Sequence, residues 1–202
     1  MLVKELAAMV HENAVKHGFY EGRKLKIEDF LALIHSEWSE ALEEAREGRP
    51  LVYGMVLDGD DEAVPRLTED WQEIADKHLK PEGCAVELMD GCLRILDLYG
   101  YADAQIDNPD GSGPATTEDL LTAYDAIDLM ALPEEDAVPE LVTILHAFTS
   151  QVVLEDNNLS CLMSAMATAM AWVRQRGIDP IQLLMMKHEY NKGRPFRHGK
   201  KF

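Results

Sequence analysis

The sequence has little cysteine and no pattern of paired cysteines. Its three cysteines, Cys84, Cys92 and Cys161, form no Cys-x-x-Cys pair and are odd in number. Disulfide-bonded small domains and zinc-binding domains use paired cysteines at short spacings, so the sequence argues against both classes. We expect three reduced thiols in the core of a cytoplasmic protein.

Long hydrophobic runs are also lacking. No uninterrupted run of about 18 apolar residues occurs, which is the length that a membrane-spanning helix needs. The first residues, MLVKELAAMVHENAVKHG, carry charges throughout and lack the apolar segment and cleavage site of a secretory signal. The sequence therefore predicts no membrane-spanning segment and no membrane partner.

Basic residues are scarce: 19 lysines and arginines stand against 37 acidic residues, for a net charge of −18. Binding to phosphate backbones needs a basic face, so we expect no nucleic acid partner. The last 16 residues, KHEYNKGRPFRHGKKF, are nevertheless basic and contain one acid, Glu189. An acidic body with a basic end suits a small polyanion held through a cation, and a solvated tail that aids solubility is the alternative.

Strand patterns are nearly absent. Apolar residues recur at helical spacing in eight segments: 2–17, 27–47, 68–79, 82–100, 116–131, 134–154, 158–176 and 178–190. One strand-like run, LVYGMVL, is followed by Asp-Gly-Asp-Asp, which predicts a small hairpin or a loop at 51–67. At 47% hydrophobic residues, the 202-residue chain can build the core of one domain. The predicted fold is an all-α helix bundle over 1–202.

Two pairs of acidic residues lie three positions apart on two of the predicted helices. Glu37 and Glu40 belong to IHSEWSEALEE, and Glu87 and Asp90 belong to CAVELMDG. Residues three apart share one side of a helix, so both carboxylates of a pair can reach one point. Glu37 also lies at the edge of the apolar stripe, where a half-desolvated carboxylate favours a cation.

Either acid pair alone is more often a solvated helix face than a metal site. Both pairs together, on long helices able to pack, predict shared oxygen ligands for a hard ion such as Mg²⁺ or Mn²⁺. A di-iron bundle would need Glu-x-x-His pairs, and the sequence has none. The polar face of the second helix continues with Arg94 and Asp97, to which the pattern assigns no role.

Three blocks, LALIHSEWSEALEEAREG, KPEGCAVELMDGCLRILDLYG and KHEYNKGRPFRHGKKF, resemble the MazG-like members of the all-α nucleoside triphosphate pyrophosphohydrolase superfamily, and they stand in the family's order. The resemblance implies a bundle of the all-α NTP pyrophosphatase type. It also implies Mg²⁺-dependent hydrolysis of nucleoside triphosphates to a monophosphate and pyrophosphate, for nucleotide-pool control or house-cleaning.

The same resemblance implies the roles of single residues. The expected metal ligands are Glu37, Glu40, Glu87 and Asp90. Glu37 and Glu40 are the expected catalytic residues, with Glu40 as the base that takes a proton from the attacking water. The expected contacts to substrate phosphates are Lys187, Asn191 and Arg194, helped by Lys192 and Arg197. Trp38 and Tyr190 are candidates for stacking on the base, although the helical pattern favours a core position for Trp38.

The chain departs from the family pattern between the two parts that resemble it. The metal-binding helices fall within 27–100, and the last helix with the basic tail falls within 177–202. The segment between them, 102–176, is either an insertion or a degenerate repeat. In the repeat alignment, LVTILHAFTSQVV (141–153) matches FLALIHSEWSEAL (30–42), with His146 opposite His35.

That alignment replaces the acids Glu37 and Glu40 with Phe148 and Gln151, so the second half would bind no metal. Members of the superfamily commonly assemble their bundles from two or more chains. We therefore expect one of two assemblies: a homo-oligomer, namely a dimer, or a pseudo-dimeric single chain.

Two other functions fit the same fold: a non-catalytic nucleotide-binding protein and a helical interaction module.

Overall fold

The computed structural model describes residues 1–22, 25–56, 66–102, 119–121, 132–155 and 158–196, and most of them are helical. Within these ranges the α-helices are α1 Val3–Lys16, α2 Ile27–Arg46, α3 Trp71–Asp76, α4 Cys84–Tyr101, α5 Val138–Leu154, α6 Ser160–Gln175 and α7 Pro180–Lys192. A 3-10 turn, Glu135–Ala137, leads into α5. The prediction of an all-α class is confirmed. The predicted helix at 116–131 lies mostly outside the described residues, of which 119–121 are helical.

Two of the helices, α3 and α7, begin after an aspartate that accepts hydrogen bonds from their free backbone N–H groups. Asp70 precedes α3 and accepts hydrogen bonds from the next backbone amides, and Asp179 does the same for α7. Pro180 occupies the first position of α7, where its fixed φ suits a helix and no N–H is needed. These side chains explain why the sequence alone located both helix starts to within a few residues.

The predicted hairpin is present: β1 Gly54–Val56 pairs antiparallel with β2 Arg66–Thr68. The residues that would connect them, 57–65, lie outside the described residues. Tyr53 exchanges two backbone hydrogen bonds with Glu82, which ties the hairpin to the start of α4. Gly83, the residue between Glu82 and α4, has φ 114°, and a Cβ there would lie 2.5 Å from the Leu51 carbonyl oxygen. Only glycine fits this crossing.

Helix α4 is the central helix of the bundle. It packs against α1, α2, α6 and α7, and most of its side chains are buried. It lies tightly against α2 at Gly91, where an added Cβ would lie 2.1 Å from the Trp38 ring. The three cysteines are buried and free, as the sequence predicted.

Four helices form a ring of contacts. Helix α2 packs on α4 and α5 packs on α6, while α2 also packs on α5 and α4 on α6. At the α2–α5 seam the Nδ1 atoms of His35 and His146 are 2.7 Å apart, and the Trp38 Nε1 atom donates to the Thr149 hydroxyl at 3.0 Å. Both pairs are separated by 111 positions in sequence. That is the offset of the alignment of 141–153 with 30–42, so matched positions touch each other.

One described segment, Glu135–Leu154, has the length and composition of a membrane-spanning helix, with a mean hydropathy of 1.4 over its most apolar window. A third of that window, 33%, is buried inside the protein. Core helices of water-soluble proteins pass the same test, so this feature assigns no location to the chain. The expectation of a cytoplasmic protein stays a prediction.

Candidate metal and phosphate site

Three carboxylates from two distant parts of the chain meet where α2 packs on α4. Glu37, Glu87 and Asp90 each place an oxygen atom within 4.8 Å of the others. Glu37 is 5% exposed and Glu87 is 6% exposed, so both are buried. We call these three residues the acid cluster. It joins one member of the first predicted pair with both members of the second.

Two cations of the chain itself contact the acid cluster. Arg94, one turn after Asp90 on α4, donates from Nε to Glu37 at 2.9 Å. Lys187 on α7 is 1% exposed, and its Nζ lies 2.9 Å from Asp90 and 3.9 Å from Glu87. The same ammonium donates to the Pro81 carbonyl at 3.0 Å. The cluster is therefore partly neutralised from within.

Burial dominates the protonation of the cluster. It raises the pKa of Glu37, against the opposing charge of Arg94 and with the added repulsion of Asp90. Burial also raises the pKa of Glu87 to about 8, while Lys187 opposes the rise and Asp90 adds to it. Desolvation by itself lowers the pKa of Lys187, but the charges of Asp90 and Glu87 prevail and raise it. Crowded carboxylates that resist ionisation favour any added positive charge.

The donor set fits a hard divalent cation. All candidate ligands are carboxylate oxygens, which suits Mg²⁺ or Mn²⁺ and disfavours softer metals. The three carboxylates each place an oxygen atom within 4.8 Å of the others. Two basic groups already contact them, and burial still raises the pKa of Glu37 and of Glu87, so a further positive charge nearby would favour their ionised forms.

Glu40 is not one of the three carboxylates that lie within 4.8 Å of one another, so its role as a fourth metal ligand stays a prediction. Its side chain is exposed on α2, one turn after Glu37. Its charge still acts on the cluster, because it raises the pKa of both Glu37 and Glu87. The helical spacing placed Glu40 on the correct side of α2, but only the packing of α4 shows that it stops short of the buried position.

The prediction that Trp38 stacks on a base is contradicted by its burial. Trp38 is 0% exposed, and its indole N–H is taken by Thr149. Lys187 also differs from its predicted position facing the phosphates, because its ammonium is turned into the acid cluster. Lys192 is exposed and pairs with Glu189 on the same helix. Arg197 lies outside the described residues.

A small polar cavity, about 60 Å³ in volume, opens beside the acid cluster between α1, α4 and α7. Two of the predicted phosphate contacts, Asn191 and Arg194, line it together with Asp90. The Asn191 side-chain oxygen is buried, and no group in the described part of the chain donates to it. The cavity wall also contains Asn13, Arg94, Asp97 and His188, which the sequence analysis gave no role.

Of the cavity residues without a predicted role, Arg94 had a signal in the sequence. It was visible in the sequence as the only basic residue on the acidic face of α4, and that contrast was the available signal. Asp97, one turn further, is fixed by two donors: His11 lies 2.8 Å from its Oδ1 atom, and the Tyr20 hydroxyl donates to the same atom at 2.6 Å. His11 and Tyr20 carry no motif, so only the tertiary structure reveals this anchor.

A larger, mostly apolar cavity of about 520 Å³ lies between α3 and the opposite side of α7. Tyr190 lines it, with Trp71 from α3 and the methionines Met185 and Met186. Its volume is within the range of about 300–1,000 Å³ that small-molecule sites occupy. The role of Tyr190 in stacking on a base stays a prediction, now with Trp71 as its neighbour.

Comparison of the chain with protein-family models, with curated proteins and with solved structures finds no match.

Proposed function

We propose that the protein is a Mg²⁺-dependent nucleoside triphosphate pyrophosphohydrolase of the MazG-like type, acting in nucleotide-pool control or house-cleaning. The observation that carries the proposal is the meeting of Glu37, Glu87 and Asp90 in a buried position beside a cavity lined by arginine and asparagine side chains. Carboxylates next to phosphate-binding groups are the combination that a metal-bound polyphosphate requires.

In this proposal the acid cluster holds the metal. A bound Mg²⁺, or Mn²⁺ in its place, supplies activation of a water molecule and neutralisation of the charge on the leaving pyrophosphate. Glu40 is exposed one turn from Glu37 and accepts the proton of the attacking water. The water oxygen bonds to phosphorus as the bridge between the α and β phosphates breaks, giving a nucleoside monophosphate and pyrophosphate.

The polar cavity takes phosphate groups. Its volume of about 60 Å³ is far below the range for a whole small-molecule ligand, so it admits part of the substrate and excludes the nucleoside. Arg194 supplies a guanidinium, which binds phosphate oxygens in a bidentate manner, and Asn191 supplies amide hydrogens. Arg94 joins the acid cluster to the cavity, since it contacts Glu37 and lines the cavity wall.

A non-catalytic nucleotide-binding protein and a helical interaction module are the alternatives. Buried acids at the α2–α4 seam favour catalysis over both, because an interaction module gains nothing from repelling carboxylates in its interior. A nucleotide sensor would need the phosphate contacts of the polar cavity but would not need the exposed Glu40 one turn from Glu37.

The test is release of pyrophosphate from a panel of canonical and modified nucleoside triphosphates in the presence of Mg²⁺. We expect Glu87→Gln to lower the rate by more than about 100-fold, because loss of even outer-shell groups costs 10–100-fold. Glu43→Gln is the matched control, since Glu43 lies on α2 but is exposed and pairs with Arg46. Glu40→Gln should lower kcat while leaving Mn²⁺ binding nearly unchanged.

Thermal unfolding separates the alternatives if no pyrophosphate is released. A nucleotide at 100 times its Kd adds about 2.7 kcal/mol of stability. Stabilisation by nucleotide without turnover would identify a nucleotide-binding protein. No stabilisation by any nucleotide with Mg²⁺ would favour the interaction module.

A further inference from the structure

Lys187 occupies the place where a bound cation would act. Its ammonium has three N–H donors, and three groups surround it: the Pro81 carbonyl at 3.0 Å, Asp90 at 2.9 Å and Glu87 at 3.9 Å. Its side chain is 2% exposed, so the ammonium makes these contacts in the interior of the protein. Two of the three carboxylates of the acid cluster are thus already in contact with a positive charge.

A divalent ion on the same oxygens would lie within a few ångströms of this ammonium. Like charges at that distance repel strongly in a buried setting, where solvent screens them little. The ion and the ammonium therefore exclude each other, and binding of one requires the other to leave. Breaking a buried ion pair is costly unless the released charge finds a new partner.

A new partner has a place close by. Asn191 is one turn after Lys187 on α7, and Arg194 follows near the helix end; both line the polar cavity. Phosphate oxygens in that cavity would lie within reach of the long, flexible lysine side chain. Arg94 is less suited to such a movement, because it contacts only Glu37 among the cluster carboxylates, through Nε.

We propose that Lys187 is a stand-in cation that blocks the metal site of the free protein and moves onto the phosphates when a metal-bound triphosphate enters. The proposal rests on the proposed function, since it needs both the metal and the polyphosphate. It makes Lys187 a positioning residue with two partners: the acid cluster in the free protein and the substrate in the complex.

Its consequence is that metal and triphosphate bind cooperatively. Metal alone must break the ion pairs of Lys187 without giving the ammonium a new anion, whereas metal with triphosphate provides one. Coupling between two ligands is reciprocal and is typically 5–150-fold in affinity. Free Mg²⁺ should therefore leave the resting site mostly empty, and the metal should arrive with the nucleotide.

The experiment is titration of the metal-free protein with Mn²⁺, followed by electron paramagnetic resonance without any nucleotide. We expect Lys187→Met to bind Mn²⁺ at least about 5-fold more tightly than the wild type, at the lower end of typical coupling. Lys192→Met is the matched control: it removes the same charge from the same helix, but Lys192 is exposed and pairs with Glu189. Its Mn²⁺ affinity should equal that of the wild type.

A wild-type measurement keeps the test valid if Lys187→Met does not fold. Acetylation by a water-soluble reagent, followed by peptide mass spectrometry, reports which lysine amines are free. Lys187 should be protected in the metal-free protein and become reactive with saturating Mn²⁺ alone, while exposed Lys192 reacts throughout. Addition of a non-hydrolysable triphosphate analogue should protect Lys187 again.

The outcomes distinguish a failure of the role of Lys187 from a failure of the proposed metal-dependent hydrolase. Equal or weaker Mn²⁺ binding by Lys187→Met, or a Lys187 that stays protected at saturating Mn²⁺, overturns the stand-in role but leaves the metal-dependent hydrolase intact. Absence of Mn²⁺ binding in every variant, with and without the analogue, overturns the metal site itself and the inference with it.

Discussion

Glu37 and Trp38 are neighbours in sequence and both are buried, yet different forces hold them. Trp38 fills the space above Gly91, and its one polar atom is satisfied by Thr149. Glu37 has Arg94 as partner, but burial still raises its pKa, so packing alone does not explain its position. At the scale of residues, a buried polar side chain whose hydrogen bonds are all made belongs to the core. A buried charged side chain whose pKa stays raised despite a partner indicates a functional site.

Gly91→Ala tests the packing of Trp38. A methyl group at this position would lie 2.1 Å from the Trp38 ring, so the ring or the helix must move. We expect the free energy of unfolding to fall by about 1–3 kcal/mol, as overpacking typically costs. Chemical denaturation followed by fluorescence measures the change.

The control is the double variant Trp38→Phe/Gly91→Ala. A smaller ring leaves room for the methyl group, so the two substitutions should be less destabilising together than the sum of each alone. Additive losses would mean that the ring does not lie against Gly91.

At the scale of elements, the α2–α5 seam joins parts of the chain that match in sequence. His35 contacts His146 and Trp38 contacts Thr149, at one constant offset. Contacts between matched positions are expected where two related halves meet around an approximate two-fold axis. They support the hypothesis that 102–176 contains a degenerate repeat, which remains our proposal.

The seam should weaken on acidification. Burial lowers the pKa of His35 and of His146, and the neighbouring His146 ring lowers the pKa of His35 further. A lowered folded pKa means that the unfolded chain binds the proton more readily. Stability is then complete above the ordinary value of 6.5 and declines as pH falls through the lowered values.

Urea denaturation at pH values from about 7.5 to about 5.5 measures this decline. His35→Gln/His146→Gln keeps a polar pair without a titrating ring and should show a smaller decline. His188, whose pKa burial also lowers, accounts for part of what remains. An unchanged pH dependence in the double variant would show that the seam histidines are not its source.

At the scale of the whole molecule, helices α2 and α4 pack on α5 and α6 of the same chain. The two expectations for the assembly are a homo-oligomer and a pseudo-dimeric single chain. We propose the second, with α5 and α6 in the place that a second subunit would take.

Sedimentation equilibrium provides the test. A pseudo-dimeric chain should sediment as a monomer of 22.7 kDa over the micromolar range. Val153 is 56% exposed near the end of α5, and an exposed apolar side chain of this kind could mediate association. Val153→Glu should therefore leave the measured mass unchanged if the chain is a monomer. A stable dimer of about twice that mass would contradict the pseudo-dimeric interpretation.

The sequence by itself determined the helices, because apolar spacing and capping residues act locally. It also selected Glu37, Glu40, Glu87 and Asp90 as candidate ligands, since i, i+3 spacing places both members of a pair on one side of a helix whatever the helix packs against. Which charges face each other was decided only in the tertiary structure. Burial of Lys187 against the acids, the contact of Arg94 with Glu37 and the exposure of Glu40 depend on how α2, α4 and α7 approach, and that geometry is set by long-range packing such as Trp38 on Gly91.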